Sequence, residues 1–361
     1  MVIGMRGYSI SPDIGAASTL PGAYYSDEAV FRASRERVFG RSWQWLGDLG
    51  DVAEPESLSP RTLLPGLLDE PLLLARDADG ALRCMSNVCT HRGNLLVRNA
   101  CRAAAIRCGY HSRRFDLTGR MTFMPEFDGA KAFPSAADDL AQVSFATCAG
   151  HGFASLDPPA SFDAFFGEVD SRMCWLPVAA FAHAPERARD YVVHAHWALY
   201  VENYLEGLHI PFVHAGLADV VDHASYTTEL FRYAALQVAR ARAGESAFEP
   251  REGERVAAYY WWVFPNLMLN FYPWGMSVNL VLPEAIDRTR VVFRSYVHDA
   301  SKLDDGAGGS LDRVEAEDEA IVEAVQRGVR SRFYRGGRYS PSREQGVHHF
   351  HRLLCEFLEP A

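Results

Sequence analysis

Two cysteines and two histidines stand in two short pairs near the end of the first third of the chain. Cys89 and His91 form a C-x-H pair, and Cys108 and His111 form a C-x-x-H pair that sixteen intervening residues separate from the first. Each pair offers one thiolate and one imidazole, a set that could hold a structural zinc ion or a two-iron cluster, or could bind no metal. Closed zinc sites rarely use a C-x-H first pair, so the pattern favours the cluster. In that interpretation the two cysteines bind one iron and the two histidines bind the other.

A second set of possible metal ligands lies in "YVENYLEGLHIPFVH". We predict a helix over about residues 198–210, on which Glu206 and His209 share a face. His214 would leave that face, but Pro211 should kink the helix and could return it towards His209. Two imidazoles and one carboxylate are the ligands of oxygen-activating ferrous iron. From the residues alone, a structural pair of histidines remains an alternative.

Composition and charge restrict the class of protein. The 361 residues are 48% apolar and 23% charged, which is typical of a globular protein with two domains. The formal charge of -10 argues against a nucleic-acid partner. No apolar stretch is long enough for a signal peptide or a membrane span. Together with the odd count of seven cysteines, this predicts a cytoplasmic protein with reduced thiols and no membrane partner.

Basic residues nevertheless cluster around the first pair of motifs. A positive face on a negative protein would suit an acidic protein partner, which it would attract by electrostatic steering. A solvated loop region without a partner is the alternative. The residues concerned are Arg92, Arg98, Arg102, Arg107, Arg113, Arg114 and Arg120.

The pattern of apolar residues predicts three parts and an α+β fold. Residues 1–42 contain an irregular segment and a helix that begins near "SDEAVF". Residues 43–155 contain short apolar runs separated by turn residues, including a hairpin at Asp79-Gly80, and this predicts a small all-β domain. Residues 156–361 combine aromatic strands with helices, which predicts a curved sheet with helices packed on it.

The first motif resembles the signature of Rieske non-heme iron oxygenases. "CTHRGNLL" and "CGYHSRRFDLTG" match the family forms C-x-H-R-G and C-x-Y-H-G/S-W/R-x-F/Y-D-x-x-G. The resemblance implies an all-β Rieske domain that carries a [2Fe–2S] cluster. It also implies a helix-grip catalytic domain, of the START/Bet v1-like type, with a curved antiparallel sheet. Arg113 and Arg114 stand where many members carry a tryptophan, which implies a different docking surface on that side.

The second motif resembles the family segment N-x-x-[D/E]-x-x-H-x4-H. By this resemblance, His209 and His214 bind a mononuclear Fe(II). Glu206 would connect a Rieske histidine of a neighbouring subunit to one of these ligands and so carry electrons between subunits. Asn203, one turn before Glu206, would hold oxygen or water near the iron, or would pack as an ordinary helix amide.

The third iron ligand must be a carboxylate from another part of the chain. "EAEDEAIVEAVQRG" resembles the late acidic helix of the family, and Asp318 occupies the matching position. Glu317 is the second candidate, and Glu315 and Glu319 are further competitors. Most acidic residues on such a helix are simply solvated.

The resemblance implies the terminal oxygenase component of a multi-component oxidoreductase. Electrons from NAD(P)H would arrive through a partner flavin or ferredoxin reductase, and O2 would be used to hydroxylate a small substrate. Family members form head-to-tail trimers, so a homotrimer is implied. A pure electron carrier and a zinc-stabilised binding protein are the alternatives from other classes. The carrier would leave "NYLEGLHIPFVH" without a purpose, and the zinc protein would be colourless.

An aromatic stretch in the second domain predicts the substrate pocket. Its rings could cage a methylated ammonium group, hold an aromatic ring or simply form core. This stretch and Glu206 resemble the choline, betaine and carnitine oxygenase branch, which implies hydroxylation followed by loss of a methyl group or of the amine. An aromatic-ring hydroxylase or an O-demethylase is the alternative. The predicted pocket residues are Tyr260, Trp262, Phe264, Asn270, Tyr272 and Trp274.

Overall fold

The structure, a computed structural model, describes residues 7–359. The chain divides into a small unit, residues 40–159, and a large unit made of the chain before and after it. The predicted parts 1–42 and 156–361 include a few terminal residues, 1–6 and 360–361, that lie outside the described range, so the prediction of no signal peptide falls partly on undescribed residues. The predicted boundaries after residues 42 and 155 stay predictions. Within residues 7–359, no helix is long and apolar enough to cross a membrane.

The small unit consists of short antiparallel strands in three sheets. The sheets have the orders β1-β10-β9, β4-β3-β2-β5 and β6-β7-β8. The strands are β1 Gln44–Asp48, β2 Ser57–Leu63, β3 Glu70–Arg76, β4 Leu82–Ser86, β5 Cys101–Arg102, β6 Ile106–Arg107, β7 Arg114–Phe115, β8 Met121–Phe123, β9 Ser144–Cys148 and β10 His151–Ser155.

The turns of the small unit place the two Cys/His pairs at neighbouring loops. The hairpin predicted at Asp79-Gly80 joins β3 to β4, and Gly80 takes the positive φ of 86° that such a turn needs. The first Cys/His pair follows β4, and the second lies between β6 and β7. A small core of apolar side chains from several of these strands lies beneath both loops and includes Cys89 and Cys108.

The large unit is one antiparallel sheet with helices packed on it. The order of its strands is β11-β18-β17-β16-β15-β14-β13, and β12 also pairs with β18. The strands are β11 Ala182–His183, β12 Arg189–Val193, β13 Val221–Leu230, β14 Ala234–Ala241, β15 Val256–Val263, β16 Leu267–Tyr272, β17 Gly275–Ala285 and β18 Arg288–Val297. The α-helices are α1 Glu28–Ser34, α2 Phe162–Met173, α3 Trp197–Tyr204, α4 Ile210–Val213, α5 Ala215–Val220, α6 Leu311–Val329 and α7 Gln345–Leu358.

Aromatic packing fixes α7 against the centre of the sheet. The Trp262 ring lies 5.4 Å from the Phe350 ring, and Phe264 lies 4.6 Å from Phe357. Strand β16 is buried along its whole length, as expected for a strand near the middle of a covered sheet. The hydrophobic effect of burying these large rings therefore stabilises the position of α7.

Polar contacts fix α6 against α3, and this pairing brings the candidate iron ligands together. The backbone N–H of His196 donates to Gln326 at 2.8 Å, and the Tyr200 hydroxyl donates to Glu315 at 2.7 Å. All four side chains are buried. Because these bonds are made in the interior, they fix the register of the two helices as well as their contact.

His196 is a buried capping residue of α3. Strand β12 ends at Val193, and His196 precedes α3 as its N-cap residue. Its Nδ1 accepts the backbone N–H of Ala198 at 3.2 Å, and the rings of Tyr24 and Tyr25 pack edge-on against it. Complete burial lowers the pKa of His196 from 6.5 to about 3.

The buried His196 should make the protein less stable in acid. The unfolded chain binds a proton near pH 6.5 and the folded chain does so only near pH 3, so the stabilisation is complete above 6.5 and is lost as the pH falls towards 3. Replacing His196 by Asn keeps an N-cap acceptor and removes this titration. We expect the slope of unfolding free energy between pH 6.5 and 5 to fall by about 1 kcal/mol per pH unit. Urea titrations at several pH values measure that slope, and an unchanged slope would contradict the assignment.

Candidate metal centres

The first candidate centre lies at the two loops of the small unit that carry the Cys/His pairs. Cys89 and Cys108 are buried and not joined by a disulfide. The His91 and His111 rings lie 4.8 Å apart, and the Nδ1 atom of each is buried without a partner among the described residues. Two free thiols beside two unpartnered imidazole nitrogens fit a [2Fe–2S] cluster of mixed cysteine and histidine ligation.

Backbone hydrogen bonds shape both loops and favour a thiolate at Cys108. The Tyr110 amide donates to Cys108 Sγ at 3.4 Å, and the Asn94 side chain donates to the same sulfur at 3.7 Å. Burial alone would raise the pKa of Cys108, but hydrogen bonds from backbone amides outweigh it and lower that pKa. Gly93 has a positive φ of 68°, and Ser112, with φ 60°, has the corresponding conformation in the second loop. A thiolate is the form that binds iron.

Arg113 does not belong to the exposed positive face on which we predicted it. Its side chain is 2% exposed, donates to Thr90 Oγ1 at 2.6 Å and to Asp138 at 3.2 Å, and lies against the rings of Phe127 and Phe133. Thr90 stands between two predicted cluster ligands. The guanidinium therefore ties the first cluster loop to the segment that contains Asp138, a task that its planar set of five donors suits.

Replacing Arg113 by Met should weaken the attachment of the first loop. Thr90 and Asp138 would lose their donor, at a cost of about 2 kcal/mol, less than for a fully buried pair because the Asp138 side chain is 19% exposed. We expect the visible circular dichroism of the cluster to disappear at a lower temperature. Replacing Arg114, which is exposed against Phe123, by Met is the matched control and should leave the transition unchanged. Equal effects of the two changes would refute the role of Arg113.

The second candidate centre begins where α3 ends, and the helix is shorter than predicted. It ends at Tyr204, and residues 205–209 form a turn, so Glu206 and His209 do not share a helix face. Glu206 instead accepts the backbone N–H groups of Leu208 and His209. Pro211 lies in the first turn of α4, where its missing N–H costs nothing, and does not kink a helix. The turn after Tyr204 is what reverses the chain.

The turn and α6 bring His209, His214 and Asp318 together. One possible ligand atom from each lies within 4.8 Å of the others. Asp318 Oδ1 is 3.0 Å from His214 Nε2 and 3.6 Å from His209 Nε2. Burial lowers the pKa of His214, but the nearby carboxylates of Asp318 and Glu317 raise it above its ordinary value overall. Two imidazole nitrogens and a carboxylate that face one point fit a mononuclear iron with open positions.

Carboxylates also contact the opposite nitrogen of each histidine. Glu206 Oε1 lies 2.7 Å from His209 Nδ1, and Glu317 Oε2 lies 2.7 Å from His214 Nδ1. Glu317 therefore lies on the outer side of the His214 ring, whereas Asp318 lies on the inner side. Such outer carboxylates orient metal-binding histidines and raise their basicity. Asn203 donates to Asp318 at 2.6 Å, so its amide holds the third predicted ligand.

A cavity opens directly onto these residues. Its volume is about 110 Å³, and His209, His214, Asp318, Glu206 and Asn203 are part of its wall. Most of the remaining wall is aromatic, aliphatic or amide side chains, and none of the described residues in it is Lys or Arg. Five tyrosines contribute, namely Tyr200, Tyr204, Tyr226, Tyr260 and Tyr272.

Half of the residues predicted for the substrate pocket lie elsewhere. Tyr260, Asn270 and Tyr272 line the cavity. Trp262 and Phe264 lie further along the sheet under α7, where they pack on Phe350 and Phe357. Trp274 stacks on Tyr272 at 5.4 Å and is fully buried in an apolar cluster behind the cavity wall. These three tryptophan and phenylalanine side chains are core, so the prediction was wrong for them.

Sequence reasoning also missed residues that the cavity needs. Tyr200 and Tyr204 were not singled out, although they are four residues apart and so share a face of α3 with each other. Glu315 was considered only as a competing iron ligand, although it precedes Asp318 by one helical turn and therefore faces the same cavity. Helical spacing counted back from Asp318 was the signal that could have found Glu315, whereas no metal ligand lies on α3 to point to Tyr200 and Tyr204.

Comparisons with known proteins identify two domains in the chain. Residues 43–134 match the Rieske [2Fe-2S] domain, and residues 181–359 match the catalytic domain of the ring hydroxylating alpha subunit. The chain is 31% identical to a choline monooxygenase of Arabidopsis thaliana over 95% of this chain and 83% of the relative. It is 28% identical to the carnitine monooxygenase oxygenase subunit of Escherichia coli K12, over 95% and 94% of the two chains.

Solved structures show the same fold. A quaternary ammonium Rieske monooxygenase studied for carnitine oxidation and inter-subunit electron transfer has a TM-score of 0.78 at 25% identity, covering 98% of this chain and all of that one. A naphthalene 1,2-dioxygenase from Rhodococcus has a TM-score of 0.72 at 18% identity, covering 94% of each chain, and shares the fold. The predicted α+β class, the oxidoreductase class and the two cofactors, a [2Fe–2S] cluster and mononuclear iron, are thereby confirmed. The chain belongs to the Rieske oxygenases, as the alpha subunit that carries the Rieske and ring-hydroxylating catalytic domains.

Proposed function

We propose that this oxygenase subunit hydroxylates a methylated quaternary amine, with loss of a methyl group or cleavage of the C–N bond. The observation that carries the proposal is the tyrosine-lined cavity beside His209, His214 and Asp318, which contains carboxylates and no Lys or Arg among its described residues. Tyrosine faces attract quaternary ammonium ions. The choline and carnitine monooxygenases to which the chain is similar act on such ions by name.

The residue roles follow from the contacts. We assign the cluster to Cys89, Cys108, His91 and His111, and the mononuclear iron to His209, His214 and Asp318. When bound, the cluster supplies electrons and the iron supplies the activation of O2. Glu317 holds His214, and Glu206 holds His209, each through the Nδ1 atom. Asn203 orients Asp318 through its amide rather than contacting oxygen. The tyrosines of the cavity place the substrate beside the ligands.

A homotrimer with electron transfer between subunits is part of the proposal. Glu206 Oε1 contacts His209 Nδ1 at 2.7 Å, and the Glu206 side chain keeps 14% exposure. One carboxylate oxygen thus engages an iron ligand while the group still reaches the surface. A Rieske histidine of a neighbouring subunit would complete the connection, as in the inter-subunit electron transfer reported for the similar quaternary ammonium monooxygenase.

The electrons come from a reductase, and we infer that an acidic flavin or ferredoxin partner, itself reduced by NAD(P)H, docks near the cluster loops. The side chains of Arg92, Arg107 and Arg114 are exposed there. On a chain with formal charge -10, such a local positive surface steers an acidic partner towards the cluster. Cytoplasmic location stays a prediction based on cysteine usage.

Coupled turnover tests the substrate class. Protein loaded with both iron cofactors, a reductase and NADH should consume O2 when choline, carnitine or γ-butyrobetaine is added. In the reaction, a C–H bond next to nitrogen becomes C–OH, the second oxygen atom becomes water, and the hydroxylated product releases an aldehyde and an amine. Detection of the aldehyde and amine in equal amounts supports the proposal. Turnover with anisole or naphthalene, and none with the ammonium compounds, would contradict it.

A further inference from the structure

A buried carboxylate in the cavity wall has one oxygen atom without a partner. Glu315 lies on α6 and is 5% exposed. Its Oε2 accepts the Tyr200 hydroxyl at 2.7 Å, whereas its buried Oε1 has no hydrogen-bond partner among the described residues. Burial raises the pKa of Glu315 to about 8, because an ionised carboxylate without a cation beside it is unfavourable in the interior.

The other carboxylates of the cavity are engaged by histidines. Glu206 contacts His209, and Asp318 contacts His214. Glu315 has no such basic neighbour, since the described residues of the wall include no Lys or Arg. An unpaired buried carboxylate costs free energy, and a positive ligand is what would remove that cost.

We propose that Glu315, together with the tyrosine rings of the cavity, binds the positively charged head of the substrate, an inference that rests on the proposed function. The head group is a quaternary ammonium, which has no N–H to donate and is held by charge and by aromatic faces. Glu315 thereby makes the cavity select a cation over a neutral molecule of the same shape. Tyr200 positions the carboxylate by donating to Oε2.

The chain offers a matched pair of variants for the test. Glu315→Gln removes the charge and keeps the shape of the side chain, and its amide oxygen can still accept the hydrogen bond from the Tyr200 hydroxyl. Glu319→Gln removes a carboxylate from the next turn of α6, which also has a buried unpartnered Oε1 but does not line the cavity. Both variants are prepared with cluster and iron, and iron content is measured in each.

Calorimetry on the anaerobically reduced protein compares choline with 3,3-dimethylbutanol, its neutral isostere. Wild-type protein and Glu319→Gln should prefer choline, and Glu315→Gln should lose about tenfold or more in choline affinity with little change for the isostere. Glu315→Asp, which keeps the charge, should recover part of the preference.

The outcomes separate this inference from the proposed function. If the wild type prefers choline and Glu315→Gln keeps that preference, Glu315 does not bind the head group. If Glu315→Gln loses its iron, the residue supports the metal and the inference is also overturned. If the wild type binds choline no better than the isostere, the proposed substrate class itself fails.

Discussion

Replacing Asp318 by Ala should abolish oxygenation and leave the spectrum of the reduced cluster unchanged. Asp318 Oδ1 faces Nε2 of both His209 and His214, so its removal leaves two neutral imidazoles to hold a divalent cation. Loss of the one charged ligand should reduce bound mononuclear iron to background and turnover by a factor of about 1,000 or more. Total iron analysis gives the bound iron, and the absorbance of the cluster gives the share that belongs to the cluster, so the difference is the mononuclear iron.

The control for Asp318 is the neighbouring carboxylate, Glu317. Because Glu317 contacts the outer nitrogen of His214, Glu317→Ala should weaken iron binding by about 10- to 100-fold without eliminating it. Excess Fe(II) should therefore restore activity to Glu317→Ala and not to Asp318→Ala. If excess Fe(II) restored activity to Asp318→Ala and not to Glu317→Ala, Glu317 would be the ligand and the assignment would be wrong.

Replacing Glu206 by Gln should slow electron delivery without emptying either centre. Gln can still accept a hydrogen bond from His209 Nδ1 and so keeps the ring in place, but it carries no charge with which to hold a second histidine. We expect reoxidation of the reduced cluster by O2 in the presence of substrate to slow about 100-fold, with iron content and substrate affinity close to wild type. Stopped-flow absorbance of the cluster gives this rate.

The control for Glu206 lies four residues earlier, on α3. Glu202 is also a partly buried carboxylate, but it accepts the Tyr25 hydroxyl at 2.7 Å and contacts His351, away from the predicted ligands. Glu202→Gln should leave the reoxidation rate unchanged. A normal rate in Glu206→Gln, or the same loss in both variants, would exclude a specific role for Glu206.

Local spacing was enough to predict the first centre. A C-x-H and a C-x-x-H pair each fit one short turn. The four candidate ligands between Cys89 and His111 could therefore be proposed with little information from the rest of the fold. Arg113 shows the limit of this approach. An arginine beside exposed arginines looks like surface, and only the distant partners Asp138, Phe127 and Phe133 bury it.

The end of α3 could not be predicted from periodicity. The helical pattern continues through Glu206, but the Gly207 backbone packs so closely on the Tyr226 ring that an added Cβ would lie 2.8 Å from it. Tyr226 belongs to β13, so this close contact just after the end of α3 depends on a strand that is distant from the helix in sequence. The same holds for the pocket: Tyr260 and Trp262 share one face of β15, and only the position of α7 decides that the second is core.

The central claim, a mononuclear iron beside a site for a methylated ammonium ion, is tested most directly by electron paramagnetic resonance with nitric oxide. Anaerobically reduced protein should show the signal of a reduced Rieske cluster and, after addition of nitric oxide, an iron–nitrosyl signal. We predict that choline or carnitine changes the shape of the nitrosyl signal and that simple aromatic compounds do not. A missing Rieske signal, or a nitrosyl signal that responds to aromatic compounds alone, would contradict the account.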